Sequence, residues 1–149
     1  MALRQNKILS EGALAPPIEG LTVTGPVLVV FFKISCPVCQ FTLPYLNRIH
    51  RAGSLPVFGI SQNDQADTHD FTRDFELEFP VLLDAEDDDF PASNAYGISS
   101  VPSLFLIEAD GRIGRAIEGW RRKEMEWLGA RTGAAVLLPG EKVPEWKPG

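Results

Sequence analysis

Four short apolar runs punctuate the chain, at residues 27–32, 57–60, 81–83 and 104–107, each with the length of a buried strand. Between them the spacing of apolar positions changes to a helical period. From Pro37 onward, Phe41, Leu43, Leu46 and Ile49 are expected to face inward from a first helix, with Pro44 inside it, where a missing N–H should kink the backbone. "DQADTHDFTRDFEL" (64–77) predicts a second helix and "PASNAYGI" (91–98) a short third one. "ADGR" (109–112) places Asp-Gly at the centre of a tight turn, which predicts a hairpin between 104–107 and 113–117. After Gly119, Met125 and Leu128 are spaced for a closing helix over 122–132. The tail "LPGEKVPEWKPG" (138–149) follows neither period and is expected to lie extended on the surface. Strands alternating with helices, then a hairpin and a last helix, specify an α/β protein with a mixed sheet.

The length of 149 residues suits one domain spanning 1–149, with a core over about 14–132. A net charge of −6 argues against nucleic acid as a partner, because the densest basic cluster, Arg121-Arg122-Lys123, is followed at once by Glu124 and Glu126. The longest apolar run is far short of the roughly 18 residues that span a bilayer, so no membrane partner is expected. "MALRQNKILSEGALAPP" lacks the apolar segment of a secretory signal. The expectation is a cytoplasmic protein, or a periplasmic or membrane-anchored one if a leader has been removed.

Candidate chemistry concentrates in "SCPVC" (35–39), which holds both cysteines of the chain. If the helix starts at Pro37, proline occupies its first position, where the fixed φ suits and the missing N–H costs nothing. Cys36 is then the N-cap. Its sulfur faces the free N–H groups of Val38 and Cys39 at the positive end of the helix dipole, which favours thiolate over thiol and should bring its pKa below the usual value of about 8.5. Cys39 lies one turn on, covered by the helix and the preceding strand. An exposed, acidic sulfur that attacks and a shielded one that resolves the mixed disulfide form a pair suited to thiol-disulfide exchange. A structural disulfide here would close a loop too short to constrain much of the unfolded chain. A zinc site would need four ligands, and only His50 and His69 stand beside the cysteines, at spacings of no usual zinc module. Two coincidental core cysteines are the third alternative.

The chain resembles the thioredoxin superfamily over about 14–128, and within it the TlpA/ResA-like thiol-disulfide oxidoreductases related to the AhpC/TSA-type proteins. The likeness is carried by the apolar run entering Cys36-Pro37-Val38-Cys39, by Pro44, by "YGISSVPSLFLIEADGRI" (96–113) and by Gly119. It implies a thioredoxin-like fold, a mixed central sheet flanked by helices on both faces. It also implies a cis peptide before Pro102, facing the cysteines, and a Val101 backbone that pairs with an extended substrate segment. Pro37 and Val38 would complete the substrate-binding surface. The broader class carries antioxidant activity.

Departures from the family pattern are specific. Ser35 stands where a tryptophan usually precedes the first cysteine, Val30 where thioredoxins place a buried aspartate, and Thr42 where ResA-like proteins often have a glutamate. No carboxylate base for Cys39 can be assigned. Lys33 either adds positive potential beside Cys36 or is a solvated strand end. Neither cysteine fits a peroxiredoxin loop, since Val29 and Lys33, or Phe32 and Cys36, occupy the places of its proline and threonine. The Gly-Gly glutathione loop of glutaredoxins is not evident after Pro102.

Among the remaining features, "AEDDDF" (85–90) reads as a solvated acidic helix start rather than a metal site. His50, where a cation would suit the helix end, and His69, on a polar face, read as structural. Trp120 could border the substrate groove or pack in the core. The expected function is exchange between the Cys36–Cys39 pair and protein thiols or disulfides, served by an electron donor, without metal or organic cofactor. The alternatives are a redox-sensing or redox-inert binding module and, behind it, a peroxiredoxin-type peroxidase. Oligomeric state is not legible.

Overall fold

β1 (Val27–Phe32) is buried along its whole length, as an unbroken apolar run requires of a strand with neighbours on both edges and cover on both faces. It pairs in parallel with β2 (Val57–Ser61), which pairs in parallel with β3 (Val81–Leu83). On its other edge it pairs antiparallel with β4 (Ser103–Ile107), and β4 with β5 (Ile113–Glu118), through the expected Asp-Gly turn. The mixed sheet has the order β3-β2-β1-β4-β5. The computed structural model describes residues 7–84 and 86–149. The start of the N-terminal segment read for a secretory signal, and Ala85 at the head of the acidic run, lie outside the described residues.

Successive side chains of β1 point to opposite faces. Phe32 meets Phe71 of α2 (Gln65–Asp74) at 5.7 Å between ring centres, while Phe31 meets Tyr96 at 5.2 Å and Phe105 of β4 at 5.9 Å. α1 (Pro37–Ala52) runs through the exposed Pro44 as one helix and buries Cys39, Leu43, Leu46 and Ile49. Phe41 corrects the expectation of inward burial. At roughly 100° per residue it lies on the far side of the Cys39–Leu43–Leu46 stripe, and it packs instead on Tyr45 and Trp120. Thr42 and Asn47 take buried places on α1. The Asn47 side chain accepts from Glu78 N at 2.8 Å and so ties the helix to the turn before β3.

His50 has the structural place expected of it: its Nδ1 accepts the Val57 N–H at 3.1 Å and so joins the end of α1 to β2. α2 stops at Asp74, short of residue 77, because Glu76 turns to φ +53°. α3 (Pro91–Ala95) is likewise shorter than read. α4 (Arg122–Thr132) has the expected bounds and buries Met125 and Leu128. His69 and Glu86, Asp87 and Asp88 of the acidic run are exposed. Among the described residues, no helix is long and apolar enough to cross a membrane.

Two features had no counterpart in the sequence reading. Buried Asp84 accepts from the N–H groups of Ala92 at 2.9 Å and Ser93 at 2.8 Å, capping α3 from a distance. Asp84→Ala leaves these donors without an acceptor and is expected to cost about 1–3 kcal/mol, read as a lower urea midpoint. Asp84→Asn, which keeps one acceptor, should cost less. The tail, expected only to lie extended on the surface, forms β7 (Trp146–Lys147) against β6 (Trp120–Arg121) in a separate two-stranded sheet.

Candidate active site

The chain leaves β1 through residues 33–35 and enters α1 at Cys36, whose extended backbone (φ −84°, ψ 116°) makes it the N-cap, with Pro37 opening the helix. The connecting loop is braced from both sides. Ile34 N donates to Asn63 Oδ1 at 2.9 Å, and Gln40 Nε2 donates to the Ile34 carbonyl at 2.8 Å. Asn63 follows the C-terminal end of a parallel strand beside β1, which is where open α/β sheets place such groups. That position was the one available signal for it, and neither Asn63 nor Gln40 was anticipated.

Cys36 Sγ accepts the Cys39 N–H at 3.1 Å, the capping bond expected of it. Both cysteines are free thiols; Cys36 is half-buried and Cys39 fully buried. The pKa of Cys36 is lowered to about 6, first by the Cys39 thiol donating to it, then by the backbone N–H groups of Cys39 and Val38 and the charge of Lys33, against the opposing effect of burial. Lys33 therefore acts on the sulfur. Cys39 is pushed the other way, chiefly by burial and then by its bond to Cys36, so it stays a thiol beside a Cys36 thiolate. Exposed Pro37 and half-buried Val38 flank the pair.

The loop before β4 closes the site. In its thiol form Cys36 Sγ donates to the Val101 carbonyl at 3.5 Å, and the Val101–Pro102 peptide is cis. Gly119 N donates to the Pro102 carbonyl at 2.8 Å, holding this loop to the end of β5. Cys36, Cys39, Pro37, Val38, Val101 and Pro102 are thus brought together around one sulfur. Trp120 is not part of the exposed surface: its ring is fully buried between Phe41 and Tyr45, and Nε1 donates to the Pro144 carbonyl at 2.7 Å. Val30 is buried in β1, and the Thr42 hydroxyl is committed to the Val38 carbonyl at 2.7 Å. Among the described residues the groups acting on Cys39 are Cys36 and Lys33, with no carboxylate among them.

The AhpC/TSA family model matches residues 18–116. A thiol-disulfide oxidoreductase ResA of Geobacillus thermodenitrificans is 28% identical over 102 residues, covering 66% of this chain and 57% of the relative. The chain therefore spans little more than half the length of that relative. In fold, the chain is similar to the thioredoxin domain of a thiol-disulfide oxidoreductase from Bacteroides vulgatus, with a TM-score of 0.71 at 21% identity, over 83% of this chain and 99% of that one. It is also similar to a secreted disulfide oxidoreductase of Mycobacterium tuberculosis, with a TM-score of 0.60 at 21% identity, over 72% and 82% of the two chains. With a sheet of this order, a helix that opens on Cys36 and a family match that runs from before β1 into β5, the chain belongs to the AhpC/TSA family as a TlpA/ResA-like member of the thioredoxin superfamily.

Proposed function

We propose that this protein is a thiol-disulfide oxidoreductase in which Cys36 attacks and Cys39 resolves. The observation that carries the reading is the capped, acidic sulfur of Cys36 beside a buried thiol three residues on. The Cys36 thiolate attacks one sulfur of a substrate disulfide, and the other leaves as thiolate. In the resulting mixed disulfide Cys36 no longer carries charge, so two of the influences that hold Cys39 protonated disappear, its bond to Cys36 and the Cys36 charge, while Lys33 still favours ionisation. Cys39 then loses its proton to solvent or to the departing thiolate and attacks Cys36 Sγ. The second substrate sulfur is released, and a Cys36–Cys39 disulfide remains. Two electrons have passed to the substrate. A dithiol donor returns them. The loss of charge at Cys36 makes Cys39 easier to ionise, and solvent or the departing thiolate takes its proton.

Substrate docking is assigned to the Val101 backbone beside Pro102, with Pro37 and Val38 next to Cys36 completing the surface. Protein disulfides or thiols are the proposed substrates. The antioxidant activity attached to the broader class has no support in this site or in the names of the relatives. The expected cytoplasmic location has none either. That one structural relative is a secreted disulfide oxidoreductase favours the alternative of work outside the cytoplasm.

The test is alkylation of the reduced protein against pH. Below its pKa a thiol reacts in proportion to its thiolate fraction, so with a pKa of about 6 the Cys36 rate should climb about tenfold from pH 5 to pH 8 and be nearly flat above pH 7. Cys39 should stay unlabelled until the protein is unfolded. Two thiols titrating alike, near pH 8.5 or above, would overturn the assignment. Because a stabilised thiolate favours the reduced state, the pair should also be more oxidising than one of ordinary thiols, as measured by equilibration with glutathione of known ratio.

A further inference from the structure

The docking edge at Val101 is not bare. Residues 146–149 return across the molecule after α4 and run against Gly119, whose N–H holds the Pro102 carbonyl. A Cβ built on Gly119 would stand 2.5 Å from the Lys147 carbonyl oxygen and 3.0 Å from the Gly149 nitrogen. Only a residue without a side chain admits backbone so close, and Gly119 sits at φ +71°. Further along, a Cβ built on Gly149 would stand 2.8 Å from the Val101 carbonyl oxygen and 3.2 Å from Ser100 Oγ. The carbonyl that Cys36 Sγ reaches is therefore also met by Gly149, and Val101 is only 8% exposed.

The covering segment is lightly held. β6 and β7 pair over two residues each, Arg122 N donates to the Glu145 carbonyl at 2.8 Å, and the Arg122–Glu145 ion pair at 3.0 Å has Glu145 81% exposed. Lys147 Nζ stands 5.4 Å from the centre of the Phe41 ring, and Trp146 is 54% exposed. Short ladders and exposed ion pairs open readily. Trp120, by contrast, is anchored in the core beneath. The segment can lift while the floor of the site stays in place.

Resting on the exchange reading above, we propose that residues 146–149 are a displaceable strap over the Val101 docking edge that sets substrate choice. With the strap down, Cys36 exchanges with small disulfides, which need no backbone pairing. A disulfide on an extended protein segment reacts only as that segment takes the strap's place at Val101, one strand-like segment exchanging for another. Its rate is then scaled by the fraction of molecules whose strap is up.

Deleting residues 146–149 tests this in single-turnover reactions of the reduced protein with two disulfides, 5,5′-dithiobis(2-nitrobenzoate) and insulin. The insulin rate should rise at least about fivefold while the small-disulfide rate changes less than about twofold. A Trp146→Ala, Lys147→Ala double variant loosens the strap at full length and should shift the ratio the same way, even if the deletion fails to fold. Equal rises with both disulfides, or no rise with insulin in either variant, would overturn the strap. Hydrogen exchange adds a readout in the unshortened chain. When Cys39→Ser is trapped as a mixed disulfide by attacking the disulfide of a peptide, whose other sulfur leaves as thiolate, the β6–β7 amides should lose protection while Leu104 of β4 keeps it; unchanged protection in that pairing would also overturn the strap. If the unaltered protein reacts with neither disulfide, the exchange reading fails and takes the strap with it. That result is distinct from strap variants that react with both disulfides at unaltered ratio.

Discussion

Cys36→Ala is expected to reduce insulin no faster than the reductant alone, a loss of at least about 10³-fold, because it removes the atom that forms the covalent intermediate. Cys39→Ser should behave differently. It keeps the N–H that donates to Cys36 Sγ and the Lys33 charge, so the first attack proceeds and the reaction halts at a mixed disulfide with no internal sulfur to release it. The serine hydroxyl can donate to Cys36 Sγ in place of the thiol, so Cys36 should still titrate below an ordinary thiol. Non-reducing electrophoresis and intact mass after mixing with a protein disulfide separate the two cases. A stable adduct on Cys39→Ser, absent from Cys36→Ala, is the expected pattern. Activity retained by Cys36→Ala, or adducts formed equally through either cysteine, would remove Cys36 from its assigned role and favour a binding module that keeps the fold without the exchange chemistry.

The parts of this molecule that were legible in the sequence are those fixed by short-range physics. β1 to β4 announced themselves as apolar runs and β5 through the Asp-Gly turn before it, and Pro37 at the first helical position located the cap at Cys36 and hence the direction of its pKa shift. The position of Val101 beside Cys36 came only from the family resemblance, since spacing alone does not bring residues so distant in sequence together. Other features depended on partners that no local period encodes. Phe41 was misplaced because its burial comes from Trp120, which arrives from the far end of β5. The partner that makes His50 structural, the Val57 N–H, belongs to the next strand and is not marked by any local period. The pairing of β6 with β7 joins segments of two residues, too short for any alternation to show. It is that pairing, invisible in the sequence, that brings the tail to the edge of the site.

Trp120→Ala is expected to cost about 3–5 kcal/mol in urea unfolding. The ring is fully buried and is packed by Phe41 at 4.7 Å and Tyr45 at 4.9 Å between ring centres. Its removal leaves a void under the outer face of α1 and strands the Pro144 carbonyl, which accepts from Nε1 at 2.7 Å. Against a total stability of roughly 5–15 kcal/mol this is a large fraction, and for a chain of this size it corresponds to a fall in Tm of about 10–15 °C. Trp120→Phe separates the two contributions. It keeps most of the apolar contact and loses the hydrogen bond, so it should cost about 1–2 kcal/mol. The same pair of variants bears on function, because Trp120 is the fixed floor on which β7 is laid. Where Phe retains the fold but frees Pro144, hydrogen exchange at Arg122 should quicken while alkylation of Cys36 keeps its dependence on pH. A Trp120→Ala protein as stable as the original would show that the ring is not the anchor of this corner of the molecule.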